Sequence, residues 1–334
     1  MRKYNVAVVG ATGVVGRKML QVLEERKIPV ENLYPMASKR SAGKTIEFDN
    51  RKWVVEELTE KSFEKDIDFA LFSAGGSTSL QFSPIAAKCG VTVIDNSSAF
   101  RMYDNVPLIV PEINGDVALT NEGIISNPNC STIQAVMALK PIYDKYGIKR
   151  IIYSTYQAVS GSGRGGILDL ENGIKGEENT FYPKPIAYNV LPHIDSFLEN
   201  GYTKEEMKMV NETKKILGDD TLKITATTVR VPVLYSHSES VNIETIRPFE
   251  IEDIKNLYKD APGLVLMDDP ENNVYPTPRL TCDTDEVYVG RIRRDFSVEN
   301  GINMWVVADN LRKGAATNAV QIAEYLISKG YFDK

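Results

Sequence analysis

The chain contains few of the residues that build disulfide frameworks or metal clusters. Among its 334 residues are 3 cysteines and 2 histidines, and no pair of cysteines has the spacing of a zinc or redox motif. This scarcity excludes a disulfide-stabilised secreted domain and a zinc-cluster protein, and we expect no metal. It favours a reducing compartment, for which we expect the cytoplasm.

The chain also lacks long apolar runs and a surplus of positive charge. No apolar run reaches the length of a membrane-spanning helix, and the first residues lack the apolar core of a secretion signal. The formal net charge is −6, and basic residues are scattered among acidic ones, which disfavours binding to nucleic acid. We therefore expect an enzyme that acts on a small molecule, without a nucleic-acid or membrane partner.

The order of apolar segments predicts two domains with different sheets. Short apolar runs first alternate with helical patterns, at residues 6–9, 18–25, 53–55, 69–73, 84–88 and 91–94, which is typical of a parallel sheet covered by helices. Longer β-rich runs follow at residues 151–159, 224–233, 241–246, 287–292 and 302–308 and predict a mixed or antiparallel sheet. We assign an α/β fold, with a Rossmann-like parallel-sheet domain at residues 1–127, joined by the C-terminal helix at 314–330, and an α+β domain at residues 128–313.

Three glycines indicate a nucleotide site. Gly10, Gly13 and Gly16 stand three apart, directly between the first predicted strand and a helical pattern. Glycines permit a tight turn and a close approach to a pyrophosphate, which then lies at the helix N-terminus. The spacing departs from the common Gly-x-Gly-x-x-Gly motif, so a purely structural turn remains the alternative.

The loop after the second predicted strand indicates which nucleotide is bound. Residues 38–43 read Ser-Lys-Arg-Ser-Ala-Gly, and no acid follows until Glu47. An acid at this place would bind a free ribose 2′-hydroxyl, whereas basic and hydroxyl groups suit a 2′-phosphate. The loop therefore favours NADP over NAD, with a solvated basic loop as the alternative.

Cys130 lies where a thiol can become a nucleophile. The preceding residues, Ser-Asn-Pro-Asn, favour a turn and a helix cap, and a helical pattern follows at once. A helix N-terminus favours the thiolate and can hold an oxyanion. The context alone leaves two readings open, a nucleophile or a small buried hydrophobe, and we assign the second to Cys89 and Cys282.

Four segments together resemble one known family. They are residues 126–132, Gln157 within Tyr-Gln-Ala-Val-Ser-Gly, Arg230 within Arg-Val-Pro-Val, and the nearby His237. These residues resemble those of the aspartate-β-semialdehyde dehydrogenases, in particular the bacterial branch, and the resemblance extends from the glycine turn to residues 310–315. Ser236 departs from the pattern, because glycine is expected there.

The resemblance implies a reaction and three catalytic roles. The reaction is the reversible, NADP-dependent reductive dephosphorylation of 4-phospho-L-aspartate to L-aspartate 4-semialdehyde through a cysteine thioester, in the biosynthesis of lysine (with diaminopimelate), threonine and methionine. Cys130 would be the nucleophile, His237 the acid/base group that takes the thiol proton, and Gln157 the group that orients a water or the acyl intermediate. We expect His237, in a loop after a strand, to titrate near neutrality, and His193 to be structural.

The resemblance also implies how the substrate is held. Arg230 would bind the α-carboxylate through its planar fork of donors, and Glu212 would bind the amine. Lys215 and Arg101 would bind phosphate, with Asn129 as a donor beside the nucleophile. Without the resemblance, Glu212 and Lys215 would be interpreted as a solvated ion pair on a helix that starts at a Thr203–Glu206 capping box.

The predicted cofactor contacts come from the glycine turn, the loop after the second strand, the segment at residues 73–78 and, by the resemblance, three later residues. They are Gly10, Thr12, Gly13, Val14, Val15, Gly16, Ser38, Arg40, Ser41, Ser73, Ala74, Gly75, Thr78, Ser160, Gly161 and Asn310. The first domain would thus bind NADP. The resemblance makes the second domain the catalytic and dimerisation domain of a homodimer.

Two rival functions remain open. An N-acetyl-γ-glutamyl-phosphate reductase would use the same architecture, but its acylated substrate amine would not require the acid Glu212. A non-enzymatic NADP-binding protein would carry Cys130 as an unreactive thiol.

Overall fold

The computed structural model describes residues 2–333, which fall into two units. Unit 1 extends to Pro128 and includes the residues from Ala315 onward, and unit 2 is Asn129–Gly314. Within the described part of the chain, no helix is long and apolar enough to cross a membrane. The functions assigned to the two domains stay predictions.

Unit 1 is built on a six-stranded sheet in which every pairing is parallel. The strand order is β5-β2-β1-β6-β7-β8, which confirms the predicted Rossmann-like sheet. The elements of unit 1 are β1 (Tyr4–Val9), α1 (Val14–Glu25), β2 (Val30–Ala37), β3 (Thr45–Phe48), β4 (Arg51–Val54), β5 (Glu56–Glu57), β6 (Phe69–Phe72), α2 (Gly76–Lys88), β7 (Thr92–Asp95), α3 (Pro111–Asn114), β8 (Ile124–Ser126) and the last helix, α9 (Thr317–Ser328).

Helices cover both faces of this sheet. Val6 and Val8 of β1 belong to a buried cluster with residues of α1 and α9. Val9, on the opposite face, belongs to a second cluster that includes Ala86 of α2. Because both faces are buried, the strands appear in the sequence as continuous apolar runs. The C-terminal helix is therefore part of the core of unit 1.

The prediction that residues 53–55 belong to the parallel sheet was wrong. Strand β4 pairs with β3 in a separate antiparallel hairpin, and Val54 is 61% exposed. The hairpin forms because Asp49 and Asn50 both adopt positive φ, 51° and 57°, as a two-residue hairpin turn requires.

Unit 2 contains the predicted mixed sheet, with strand order β10-β9-β11-β14-β13-β12. The β10–β9 and β12–β13 pairs are parallel and the other pairs are antiparallel. The elements are α4 (Cys130–Tyr146), β9 (Ile148–Gln157), α5 (Gly163–Ile174), α6 (Lys204–Leu217), β10 (Lys223–Arg230), β11 (His237–Thr245), α7 (Ile251–Lys259), β12 (Leu264–Leu266), α8 (Pro278–Thr281), β13 (Val287–Asp295) and β14 (Gly301–Ala308).

One edge of the mixed sheet gathers three residues that are distant in sequence. Gln157 and Arg230 are the last residues of the parallel strands β9 and β10 and pair in register. His237 is the first residue of β11, which runs antiparallel to β9. We call this edge, formed by Gln157, Arg230 and His237, the site edge.

Candidate active site

Cys130 is the first residue of α4, as predicted. The side-chain oxygen of Asn129 caps this helix by accepting hydrogen bonds from the backbone N–H groups of Ser131 and Thr132, at 3.0 and 3.2 Å. The thiol therefore lies at the positive end of the helix dipole, where a thiolate is favoured.

The Cys130 thiol contacts the imidazole of His237. The distance from Sγ to Nε2 is 3.2 Å, within the range of a hydrogen bond that involves sulfur, and His237 is completely buried. A single side chain from each of α4 and β11 thus forms a thiol–imidazole pair.

The backbone fixes which ring nitrogen of His237 carries the proton. The N–H of Ala158 donates a hydrogen bond to Nδ1 at 2.9 Å. Because a backbone N–H can only donate, Nδ1 presents its lone pair, and the proton of the neutral ring lies on Nε2, facing the sulfur. A second proton on Nδ1 would point at the N–H of Ala158.

The electrostatic surroundings also keep His237 neutral. Burial, together with the nearby positive charge of Arg230, lowers the pKa of His237 to about 3, although the charge of Glu205 acts in the opposite direction. The expectation that His237 titrates near neutrality was therefore wrong for this arrangement. The expected transfer of the thiol proton to this ring stays a prediction. The ring is placed to donate from Nε2 to a thiolate or an oxyanion.

The expected loop position of His237 was wrong as well, because the residue opens β11. The preceding Ser236 adopts a φ of 67°, in the left-handed region that favours glycine. Its N–H donates to Asn310 Oδ1 at 2.9 Å. The backbone shape expected of a glycine is therefore kept by serine, held in place by this hydrogen bond.

We predict that the pH profile of kcat/KM contains no histidine ionisation near pH 6.5. The pKa of about 3 leaves His237 neutral as the pH falls through that range, so loss of activity toward acid pH reports the thiol and the substrate instead. His237→Asn should lower kcat/KM by a factor that does not vary with pH between about 5.5 and 8. A step in the pH profile of kcat/KM with a midpoint near pH 6.5, present in the wild type and absent in His237→Asn, would contradict a neutral His237 with its proton on Nε2.

Arg230 offers an unsatisfied donor at the site edge. Its side chain is buried, and Nη1 donates to the carbonyl of Ala158 at 2.7 Å. Nε has no hydrogen-bond partner among residues 2–333, and a buried unpaired donor of a charged group is costly. An anionic ligand would satisfy it.

The Gln157 amide is held by a residue that the sequence did not single out. Gln157 Nε2 donates to Glu205 Oε1 at 3.1 Å, and Gln157 Oε1 accepts from the hydroxyl of Thr155 at 3.0 Å. Glu205 Oε2 forms a salt bridge with Lys208 Nζ at 3.1 Å. In the sequence, Glu205 resembles any acid in the first turn of a helix, so no local signal marks it.

Helix α6 brings a second acid to the N-terminus of α4. The backbone N–H of Asn129 donates to Glu212 Oε2 at 2.7 Å, and Glu212 is 1% exposed. This burial excludes the alternative in which Glu212 is half of a solvated ion pair, and its role in binding the substrate amine stays a prediction. Lys215 follows one turn later on α6 and is half-buried, and the predicted Thr203–Glu206 capping box is confirmed.

A further buried acid lies on the same strand as His237. Glu239 follows His237 by two residues on β11, so both side chains point to the same face of the sheet. Glu239 is completely buried, and neither carboxyl oxygen has a hydrogen-bond partner among the described residues. Burial raises its pKa well above the ordinary value.

In unit 1, the glycine turn has no room for side chains. Gly10 has a φ of 86°, and a Cβ on it would lie 2.3 Å from the carbonyl oxygen of Ser73. A Cβ on Gly16 would lie 2.1 Å from the carbonyl oxygen of Gly10. Gly13 is the N-cap of α1 and supplies no side-chain cap, so the N–H groups at this helix end are accessible to an anion.

The other predicted cofactor segments of unit 1 lie beside this turn. Thr12 Oγ1 donates to Ser41 Oγ at 3.4 Å, which joins the glycine turn to the loop after β2, where Ser38 and Arg40 are exposed. Gly75, with a φ of 87°, is the N-cap of α2 and also lacks a side-chain cap. Two helix N-termini therefore follow the adjacent strands β1 and β6.

Several predicted residues have structural partners of their own. Arg101, in unit 1, is buried and donates to the backbone carbonyls of Asn127 and Asn96, each at 2.9 Å. In unit 2, Asn310 Nδ2 donates to Ser160 Oγ at 3.0 Å. A Cβ on Gly161 would lie 3.1 Å from Arg230 Nη1. The roles of these residues in binding phosphate or cofactor stay predictions.

The interpretation of Cys89 and Cys282 as buried hydrophobes was wrong. Both are exposed, because each caps the C-terminus of a helix, α2 and α8 respectively.

His193 stacks on Phe197, with ring centroids 4.3 Å apart.

A parallel sheet with uncapped helix N-termini and a thiol paired with an imidazole are the parts of a dehydrogenase that works through cysteine. Family models describe the same division: "Semialdehyde dehydrogenase, NAD binding domain" matches residues 5–120, and "Semialdehyde dehydrogenase, dimerisation domain" matches residues 139–313.

Named relatives narrow this class. The aspartate-semialdehyde dehydrogenase of Aquifex aeolicus (strain VF5) is 55% identical, covering 98% of this chain and 99% of the relative, and that of Bacillus subtilis (strain 168) is 49% identical, covering 97% and 98%. A crystal structure of aspartate semialdehyde dehydrogenase II from Vibrio cholerae complexed with ASA has a TM-score of 0.95, 47% identity and coverage of 98% and 99%. The chain belongs to the aspartate-semialdehyde dehydrogenase family.

Proposed function

We propose that this chain reduces 4-phospho-L-aspartate to L-aspartate 4-semialdehyde with NADPH and releases inorganic phosphate, reversibly, in the biosynthesis of lysine, threonine and methionine. The observation that carries the proposal is the Cys130–His237 pair, with Sγ and Nε2 3.2 Å apart at the N-terminus of α4. The full-length relatives bear this activity in their names, which favours it over the N-acetyl-γ-glutamyl-phosphate and non-enzymatic alternatives.

NADP fits unit 1. The turn from Gly10 to Gly16 is so tight that a Cβ on either glycine would clash with backbone, and the N-termini of α1 and α2 lack side-chain caps. Ser38, Arg40 and Ser41 supply hydroxyl and cationic groups for a 2′-phosphate. A related structure, the aspartate semialdehyde dehydrogenase from Candida albicans "with NADP", has a TM-score of 0.78 and 26% identity and covers 98% of this chain. When bound, NADPH supplies the hydride for the reduction.

In the reaction, Cys130 is the nucleophile. Its thiolate attacks the acyl carbon of the acyl phosphate, so that a C–S bond forms, the C–O bond to phosphate breaks, and a thioester remains. After reduction of that carbon, the C–S bond breaks and its electron pair returns to sulfur. The one proton that the overall reaction consumes ends on the released phosphate.

His237 stabilises negative charge in both tetrahedral states. Because Nδ1 accepts from Ala158, the proton on Nε2 can be donated as a hydrogen bond to the substrate oxyanion as it develops. The N-terminus of α4 adds a positive dipole at the same place. Neither step requires His237 to change its protonation state.

Arg230 and α6 recognise the substrate. The unpaired Nε of Arg230 and its guanidinium plane suit the α-carboxylate, and Glu212, bonded to the backbone of Asn129, suits the ammonium group. Lys215 and Arg101 are the proposed phosphate cations, Asn129 a nearby donor, and Gln157 the group that orients the acyl intermediate.

The mixed sheet is the proposed dimer interface. Tyr156 on β9 is 40% exposed, its ring lies 5.4 Å from that of Trp305, and both residues border a cavity of about 500 Å³. The matching family model describes a dimerisation domain over this sheet.

A nucleophilic thiol must stay reduced, so we place the homodimer in the cytoplasm.

The reaction is tested by phosphate-dependent reduction of NADP with L-aspartate 4-semialdehyde. We expect turnover that requires phosphate and a much lower rate with N-acetyl-L-glutamate 5-semialdehyde, because that substrate has no ammonium group for Glu212. Equal turnover rates with the two aldehydes would contradict the proposed substrate class. Turnover in the absence of phosphate would contradict the proposal that the reaction interconverts an aldehyde and an acyl phosphate.

The loop after β2 gives a separate prediction for the cofactor. Arg40→Ala should weaken NADP binding by about ten- to hundredfold and NAD binding much less, because a charge-assisted contact with the 2′-phosphate contributes about 1.5–3 kcal/mol. Lys39→Ala is the matched control, since Lys39 is the exposed neighbour of Arg40. Titrations of both cofactors measure the effect. An equal loss for NADP and NAD would show that Arg40 does not read the 2′-phosphate.

A further inference from the structure

The side chain of Glu205 connects two of the site residues. Glu205 is the second residue of α6 and is 5% exposed. Its Oε1 accepts two hydrogen bonds, from Asn129 Nδ2 at 2.9 Å and from Gln157 Nε2 at 3.1 Å. One carboxylate oxygen therefore joins the residue that caps α4 to the end of β9.

These two hydrogen bonds determine how both amides are oriented. With its nitrogen on Glu205, Asn129 turns its oxygen toward the N–H groups of Ser131 and Thr132. Gln157 likewise turns its oxygen toward the hydroxyl of Thr155. A flipped Asn129 would direct its NH₂ group at the helix N–H groups and would lose the cap next to Cys130.

Glu205 stays ionised although it is buried. The opposing charge of Lys208 and the hydrogen bonds from Asn129, Gln157 and Lys208 outweigh the effect of burial and lower the pKa of Glu205 to about 2. Lys208 is itself held by Asp195, at 2.8 Å. The charge of Glu205 also acts on His237, on β11, whose pKa it raises against the larger lowering by burial and Arg230.

We propose that Glu205 is a positioning residue for the reaction: its Oε1 fixes the amides of Asn129 and Gln157, and thereby the N-terminus of the helix that presents Cys130. It acts through these two residues. The inference rests on the proposed function for its kinetic readout, whereas its effect on the Cys130 thiol can be measured without any substrate.

Glu205→Gln tests the proposal, with Glu206→Gln as the matched control. Glu206 is the next residue on α6 and is also buried, but it bonds the backbone N–H groups of Thr203 and Thr228 instead. We expect kcat of Glu205→Gln to fall about ten- to hundredfold, the worth of a charge-assisted hydrogen bond, with little change in the Kd of NADP. The rate of Cys130 alkylation by iodoacetamide at fixed pH should fall in this variant alone. Equal effects in both variants, or wild-type values in Glu205→Gln, would overturn the proposal.

Lys208→Met provides a second test that keeps the Glu205 oxygens in place. Without the ammonium group the pKa of Glu205 rises, and a protonated carboxyl holds the two amides less well. Activity should therefore be lost as the pH falls, with a midpoint higher than in the wild type. An unchanged pH profile would contradict the proposal. Wild-type protein without phosphate-dependent activity would instead contradict the proposed function, and the alkylation rates would still decide the role of Glu205.

Discussion

Replacement of Cys130 by alanine should abolish turnover, lowering kcat by about 10⁴-fold or more, because no other group at the site can form the thioester. The Kd of NADP should stay near its wild-type value, since the glycine turn and the loop after β2 belong to unit 1 and Cys130 to unit 2. Stopped-flow turnover and cofactor titration on the same preparation measure the two quantities.

Cys89→Ala is the matched control for this experiment. Cys89 is exposed at the end of α2 in unit 1, and its removal should leave kcat unchanged. Mass spectrometry after rapid quenching with acyl phosphate should show an acyl adduct in the wild type and in Cys89→Ala, and none in Cys130→Ala. Residual turnover of a few per cent in Cys130→Ala would show that the reaction does not require a covalent intermediate on this residue.

Arg230→Lys should lower kcat/KM for aspartate semialdehyde by roughly a hundredfold or more. Lysine keeps the charge but lacks the planar pair of donors that matches a carboxylate, and a displacement of the reacting carbon by about 1 Å can cost that much. The variant also loses the hydrogen bond from Nη1 to the carbonyl of Ala158, the residue whose N–H holds His237. The Kd of NADP should be unaffected.

The rate of Cys130 alkylation separates loss of carboxylate binding from a disturbed His237. Alkylation of Cys130 by a small neutral reagent should proceed at the wild-type rate in Arg230→Lys, because that reagent does not use the carboxylate site. The exposed Arg247 is the control, and Arg247→Lys should behave as wild type. Near-normal kcat/KM in Arg230→Lys would place the substrate carboxylate elsewhere.

The features that could be predicted from the sequence are those fixed by neighbouring residues. Asn129 caps the helix that starts at Cys130, and Thr203 with Glu206 forms a capping box, because both motifs depend on residues at most three positions apart. The position of Gly16 likewise follows from a local turn, because a Cβ on it would lie 2.1 Å from the carbonyl oxygen of Gly10.

The features that could not be predicted depend on contacts between distant segments. The proton position in His237 is set by the N–H of Ala158, 79 residues away, and Glu205 acquires its role by meeting Asn129 and Gln157, 76 and 48 residues away. The hairpin of β3 and β4 was missed for a different reason, since Asp49 and Asn50 both adopt the positive φ that glycine usually supplies.

The site edge fixes the spacing of the reacting groups and of the arginine proposed for the carboxylate, whereas the other substrate groups come from a helix. Gln157, Arg230 and His237 end or begin three strands that are hydrogen-bonded to one another, so their spacing is fixed by the sheet and changes little with surface mutations. The groups proposed for the amine and the phosphate, Glu212 and Lys215, lie instead on one face of α6. An altered preference for acyl phosphates can thus arise by substitutions at Glu212 and Lys215, while the site edge stays in register and Glu205, on the same helix, is kept. Variants at these two positions are the natural starting library for redesigning specificity.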